Sequence, residues 1–118
     1  MIPKLATAYS NRGFAYSSLG DYQRAIEDLN KAIGLDPKLA EAYANRGLVY
    51  DRLNQHQRAI EDFDKAIELD PKSAGAYRNR GYTYALLKDY DAAIRDYNKV
   101  LALTKGRDFK AHYHLARI

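Results

Sequence analysis

The residues able to do chemistry are few and badly spaced for it. Three histidines, His56, His112 and His114, stand beside serines such as Ser10, Ser17 and Ser18, and there is no cysteine at all. A thiolate metal site, a cysteine nucleophile and a disulfide framework are therefore excluded. His112 and His114 are two apart, and helix residues at that spacing point away from each other, which is poor geometry for sharing a metal. The carboxylate pairs Glu27-Asp28 and Glu61-Asp62 are adjacent in sequence, so they do not face one another on a helix. No serine has a base at local spacing to activate it. The expectation is a protein that catalyses nothing and holds no metal or cofactor.

Other polar residues recur with more order. Asparagine stands at Asn11, Asn45 and Asn79, arginine directly after it at Arg12, Arg46 and Arg80, and aspartate at Asp28, Asp62 and Asp96, each series with a step of 34. An amide offers both a donor and an acceptor, the two things a peptide main chain needs whatever its side chains. Evenly spaced asparagines can clamp an extended segment, and the plain alternative is that they are simply solvated. Each arginine precedes an aspartate by sixteen residues, and a charge near a packed seam is tolerated chiefly when paired. An Arg12–Asp28 bridge, with Arg46–Asp62 and Arg80–Asp96 to match, is expected to join two helices in every copy. One carboxylate per arginine would also quench the field of a basic stripe, which disfavours nucleic acid.

The elements that position these residues follow from the same step. Residues 6–39 laid over 40–73 match at 21 of 34 positions without a gap, and 74–107 keeps the frame. The ten residues from Phe109 to Ile118 look like the start of a fourth copy, a capping helix over about 108–118. Apolar residues recur at helical spacing within each copy, as in Ala40, Tyr43, Gly47 and Tyr50, then Ala59, Ile60, Phe63, Ala66 and Ile67. Each copy therefore reads as two amphipathic helices, broken near Leu19-Gly20-Asp21, Leu53-Asn54-Gln55 and Leu87-Lys88-Asp89, with Asp21 and Asp89 as caps. Asp36-Pro37 and Asp70-Pro71 read as an N-cap aspartate with proline at the first helical position. The third boundary, Thr104-Lys105-Gly106, lacks both and is expected to be looser. Gly13, Gly47 and Gly81 each cost about 1 kcal/mol in a helix interior, so they imply close approach of a partner helix, with Ala25, Ala59 and Ala93 as the natural facing residues.

This pattern resembles the tetratricopeptide repeat family. Tyr9, Tyr43 and Tyr77, the three glycines, and Tyr16, Tyr50 and Tyr84 look like its first-helix signature; Leu29, Phe63 and Tyr97, Ala32 and Ala66, and Pro37 and Pro71 look like its second. The resemblance implies an all-α fold: a right-handed superhelical stack of three helix-turn-helix hairpins and a C-terminal capping helix, one domain over 1–118. It also implies a concave face lined by first helices, where an extended segment of a partner protein would lie. On the positions it points to stand Asn11, Asn45 and Asn79, with His114 at the matching place in the last helix; then Phe14, Leu48 and Tyr82 as an apolar stripe; and Arg78 beside Asn79. Arginine at Arg12, Arg46 and Arg80 departs from the family, which usually has an apolar residue there.

The partner expected is another protein or peptide. One subclass of the family grips the C-terminal carboxylate of chaperones with lysines, asparagines and an arginine, and here Ser10, Phe14, Gly75 and Asn79 stand where that grip is sought and only Asn45 fits it, so no chaperone-tail clamp is expected. Self-association through the terminal helices, or a place in a longer array, is the alternative, since Phe109, Leu115 and Ala116 remain to be buried. A net charge of +4 is spread among interleaved acids and bases, weak support for nucleic acid. No stretch approaches the roughly 20 apolar residues of a membrane span, and the cytoplasm is the default location.

Overall fold

Seven helices make up the computed structural model, which describes residues 2–105 and 109–117, except for the side chains of Ile2, Pro3, Phe109 and Tyr113. They are α1 (Ile2–Ser18), α2 (Tyr22–Leu35), α3 (Ala40–Arg52), α4 (His56–Leu69), α5 (Ala74–Leu86), α6 (Tyr90–Thr104) and α7 (Phe109–Arg117). No strand occurs among the described residues. Each odd helix packs most heavily on the even helix that follows it, and each even helix then meets the next odd one. The result is a stack of antiparallel hairpins with α7 closing against α6, measuring 41 × 27 × 21 Å. In addition α1 touches α3 and α3 touches α5, while the even helices make no comparable contact with one another. Odd helices are thus crowded together on one side, the inner side of a curved array.

The turn inside each hairpin needs a residue with left-handed backbone. Gly20, Asn54 and Lys88 occupy it at φ of 82°, 59° and 64°. Only glycine takes this region without steric cost, and asparagine tolerates it better than lysine. Asp21 and Asp89 then cap α2 and α6, accepting hydrogen bonds from the backbone N–H of Arg24 and Ala92.

The link between hairpins differs from the sequence expectation. Asp36 and Asp70 are not N-caps: they close α2 and α4, and Pro37 and Pro71 lie in the following turn, three residues before α3 and α5 begin. Each aspartate side chain accepts from the N–H two residues on, at Lys38 and Lys72, making a local Asx turn. Proline fits there because its fixed φ suits the turn and it has no N–H to leave unpaired. Tyr43 then donates its hydroxyl to the Pro37 carbonyl at 3.0 Å, which ties the link to α3. The cap of α5 is Ser73, which accepts from Ala76 N–H. At the third boundary Lys105 closes α6 with φ 56°, and Gly106, where a looser link was expected, lies outside the described residues.

Close approach within the first two hairpins is set mainly by the bulky residue at repeat position 24, whereas a Cβ on Gly81 would meet Cβ of Asp96 first, at 3.1 Å. A Cβ on Gly47 would stand 2.7 Å from Cε1 of Phe63, and one on Gly13 would stand 2.8 Å from Cγ of Leu29. Ala25 contributes only its carbonyl, at 3.2 Å from a Cβ on Gly13. The missing side chain makes room for a core residue, because Leu29, Phe63 and Tyr97 are fully buried.

Candidate functional site

Three arginine–aspartate pairs hold the hairpins that shape the concave face. Nε and Nη2 of Arg46 donate to the two oxygens of Asp62, both at 2.8 Å; Arg12 does the same to Asp28 at 2.7 and 2.8 Å, and Arg80 to Asp96 at 2.9 and 2.7 Å. The aspartates are buried and the forked geometry satisfies both their oxygens. Each guanidinium also lies 5.4–5.9 Å from two tyrosine rings of its own helix, such as Tyr43 and Tyr50 for Arg46. The hydrogen bonds it donates to Asp62 hold the Arg46 guanidinium protonated to higher pH than usual, against the opposing cost of burial.

A second reach of these arginines was not foreseen. Nη1 of Arg46 donates to Asn30 at 2.9 Å, and Nη1 of Arg80 donates to Asp64 at 2.8 Å, so each arginine pins its own hairpin to the preceding one. The signal was present as a recurring polar residue at repeat position 25, Asn30, Asp64 and Asn98.

Between α3 and α5 the inner face opens into a depression of about 310 Å³, where Asn45 and Asn79 stand with Leu48, Ala44 and Gly75. A neighbouring depression of about 420 Å³ continues it past Leu48 to Asp51, Arg52, His56, Tyr82 and Leu86. Leu48 borders both, so the two form one run along the inner face. Asn11 is exposed further along, at the first hairpin. The three asparagines are not equivalent: Asn45 donates through Nδ2 to Oγ of buried Ser10 at 3.1 Å, bridging α1 and α3. Asn79 has Ala44 where Asn45 has Ser10, and alanine offers no such acceptor. Phe14 and Tyr82 are about half exposed and Leu48 is partly covered. Arg78 is partly buried on α5.

His114 does not continue the asparagine row as a solvent-facing rung. Its ring stacks on buried Tyr97 at 5.4 Å between centroids and meets Tyr82 at 5.3 Å, so it joins the apolar stripe to the core of the third hairpin. The hydroxyl of Tyr97 is buried with no hydrogen-bond partner among the described residues, and burial pushes its acidity well to the alkaline side of an ordinary tyrosine.

A small polar network at the second depression was also missed. Asp51 lies 2.9 Å from Nδ1 of His56 through one oxygen and accepts from the Thr83 hydroxyl with the other, tying α3 to α4 and α5. Its sequence signal was faint: an aspartate at position 12 where the other copies have Ser17 and Ala85. Among the described residues no group of three His, Asp or Glu side chains is arranged to hold a metal, and no helix is long and apolar enough to cross a membrane.

Residues 6–39 and 40–73 match the tetratricopeptide repeat profile as two successive copies, and 63–95 matches a second profile of the same name. The chain belongs to the tetratricopeptide repeat family. Solved TPR domains superpose on nearly its full length. The first TPR domain of human RPAP3 is 30% identical with a TM-score of 0.93, covering 98% of this chain and 90% of that one. The second TPR domain of human RPAP3, in complex with the HSP70 peptide SGPTIEEVD, is 29% identical at 0.90, covering 99% and 97%. The first TPR of Spaghetti (RPAP3), bound to the HSP90 peptide SRMEEVD, is 29% identical at 0.91, covering 97% and 90%. No functionally curated sequence matches the chain.

These neighbours overturn the expectation of no chaperone-tail clamp. That exclusion rested on residue types at Ser10, Phe14, Gly75 and Asn79, whereas domains of the same backbone and about 30% identity hold peptides ending in EEVD. In the structure Ser10 has no exposed surface and its hydroxyl accepts from Asn45, so Asn45 and not Ser10 faces the groove there.

Proposed function

We propose that this TPR domain, one unit over 1–118, is a non-catalytic scaffold that holds an extended peptide of a partner protein along the inner face of α1, α3 and α5. The observation that carries the reading is the open run between α3 and α5, in which two asparagines at the same repeat position flank Leu48. Amides at Asn45 and Asn79 serve a peptide main chain through donor and acceptor together. Phe14, Leu48 and Tyr82 offer apolar contact for alternate side chains, with Asn11 extending the row and His114 backing Tyr82. Arg52 and Arg78 supply positive charge for an acidic ligand residue. Acidic C-terminal peptides of the kind bound by the similar domains are therefore the first ligands to try.

The test is a titration of the ¹⁵N-labelled domain with SRMEEVD and SGPTIEEVD peptides. Saturable shifts of α3 and α5 amides around Asn45, Leu48 and Asn79 are expected. Shifts confined to the outer face, on α2 or α4, would sink the reading.

A further inference from the structure

The outer edge of α1 carries the same stripe that is buried in the next two hairpins. Along α1 it runs Leu5, Ala8, Arg12 and Ala15, at steps of three and four that keep one helix face. The counterparts of Ala8 and Ala15 in α3 and α5 are covered: Ala42 is 0% and Ala76 is 2% exposed, and Val49 and Thr83 are both at 0%. In α1 this stripe is open, with Leu5 at 48% exposure, Ala8 and Ala15 exposed, and a shallow cavity between Leu5, Ala8, Tyr9 and Arg12. The arginine side chains show the same contrast, 58% exposed for Arg12 against 21% and 20% for Arg46 and Arg80.

The molecule itself shows what fits such a face. In α2 the residue that receives Arg46 is Asn30, flanked by Ile26 and Ile33, which pack on the cluster containing Ala42 and Val49. In α4 the residue that receives Arg80 is Asp64, flanked at the same spacing by Ile60 and Ile67. Twice, then, this stripe is covered by a helix reading isoleucine, acid or amide four residues on, and isoleucine three residues further. Among the described residues, a second copy offers no free helix of that kind at its other end. The matching face of α6, Ile94, Asn98 and Leu101, lies toward α7, whose Ala111 and Leu115 pack with Leu101, and α7 itself carries basic residues and no acid.

We propose that the α1 stripe docks an amphipathic helix of a partner protein with isoleucine or leucine at both ends of a two-turn face and a carboxylate at the i+4 position between them, set to meet Arg12. This surface is separate from the peptide groove. It uses helix-in-groove recognition, with apolar anchors for affinity and the arginine for register.

A hydrocarbon-stapled, fluorescent helix with the sequence of residues 56–69 is the probe, titrated into the full chain by anisotropy. Saturable binding is expected, weakened at least tenfold by Ala8→Arg or by Asp64→Lys in the probe. The groove variant Asn45→Ala, Asn79→Ala keeps that binding, so failure here and failure of the groove reading are distinguishable. Ala8 and Ala15 are exposed, so Ala15→Arg serves as a second folded variant, checked by circular dichroism. No saturable binding, or binding that both arginine variants leave unchanged, overturns the proposal. Concentration-dependent dimers in light scattering that Ala8→Arg abolishes would also overturn it, by giving the face to a second copy.

Discussion

Arg46 and Asp62 meet as a fork on a fork, Nε to Oδ2 and Nη2 to Oδ1, both at 2.8 Å. The pair crosses from α3 to α4 inside one hairpin, while the remaining nitrogen, Nη1, crosses to Asn30 in α2. One planar side chain thereby fixes three helices, which lysine, a single point charge, could not do. The angle between hairpins sets the curve of the inner face, so this outer network bears on the shape of the groove.

The first prediction separates the inner from the terminal pair. Arg80→Leu leaves the buried Asp96 carboxylate without its partner and is expected to cost about 3 kcal/mol, read as a lower urea midpoint. Arg12→Leu strands Asp28 as well, but among the described residues Arg12 makes no second bond like that from Arg80 to Asp64 and is more than half exposed, so its loss is smaller. Equal losses would mean that the link from Arg80 to Asp64 contributes nothing.

Glycine substitutions should split by site. Gly47→Ala drives a Cβ to 2.7 Å from the fully buried Phe63 ring and is expected to destabilise by about 1–3 kcal/mol. Gly34 in α2 has nothing within 4 Å of such a Cβ, so Gly34→Ala is expected to gain about 0.5–1 kcal/mol from helix propensity. Thermal denaturation of the two variants beside wild type checks both signs.

Tyr97→Phe removes a buried hydroxyl with no hydrogen-bond partner among the described residues, at a position where the preceding hairpin already has Phe63. At pH 7 it is expected to stabilise by about 1 kcal/mol. The pH dependence follows from the direction of the shift. Burial raises the folded-state pKa of Tyr97 above that of the unfolded chain, so above pH about 10 the unfolded state loses its proton first and stability falls as pH rises. The variant should lose less stability than wild type between pH 9 and about 11. An identical decline in both would contradict the assignment.

The fold was legible because the 34-residue step forces every local signal to agree three times. The sixteen-residue offset from arginine to aspartate could be read in the same way, and the structure places those groups in contact. The second reach to Asn30 and Asp64 runs between copies, and the within-repeat pattern pointed to one partner for each arginine. Asp36 and Asp70 were misplaced because aspartate before proline fits both a helix start and a turn, and only the path of the chain decides. The differences among Asn11, Asn45 and Asn79 were hidden for a related reason. Their neighbours across the seam, Ser10 for one and Ala44 for another, break the symmetry that the repeats suggest.

The central claim is that the inner face holds an extended peptide through Asn45 and Asn79. Fluorescence anisotropy of labelled SRMEEVD peptide against wild type and the folded Asn45→Ala, Asn79→Ala variant tests it most directly. Two lost hydrogen bonds at about 1 kcal/mol each predict saturable binding by wild type and an affinity lower by roughly tenfold or more in the variant. No saturable binding by wild type, or equal affinity in both, would contradict the account.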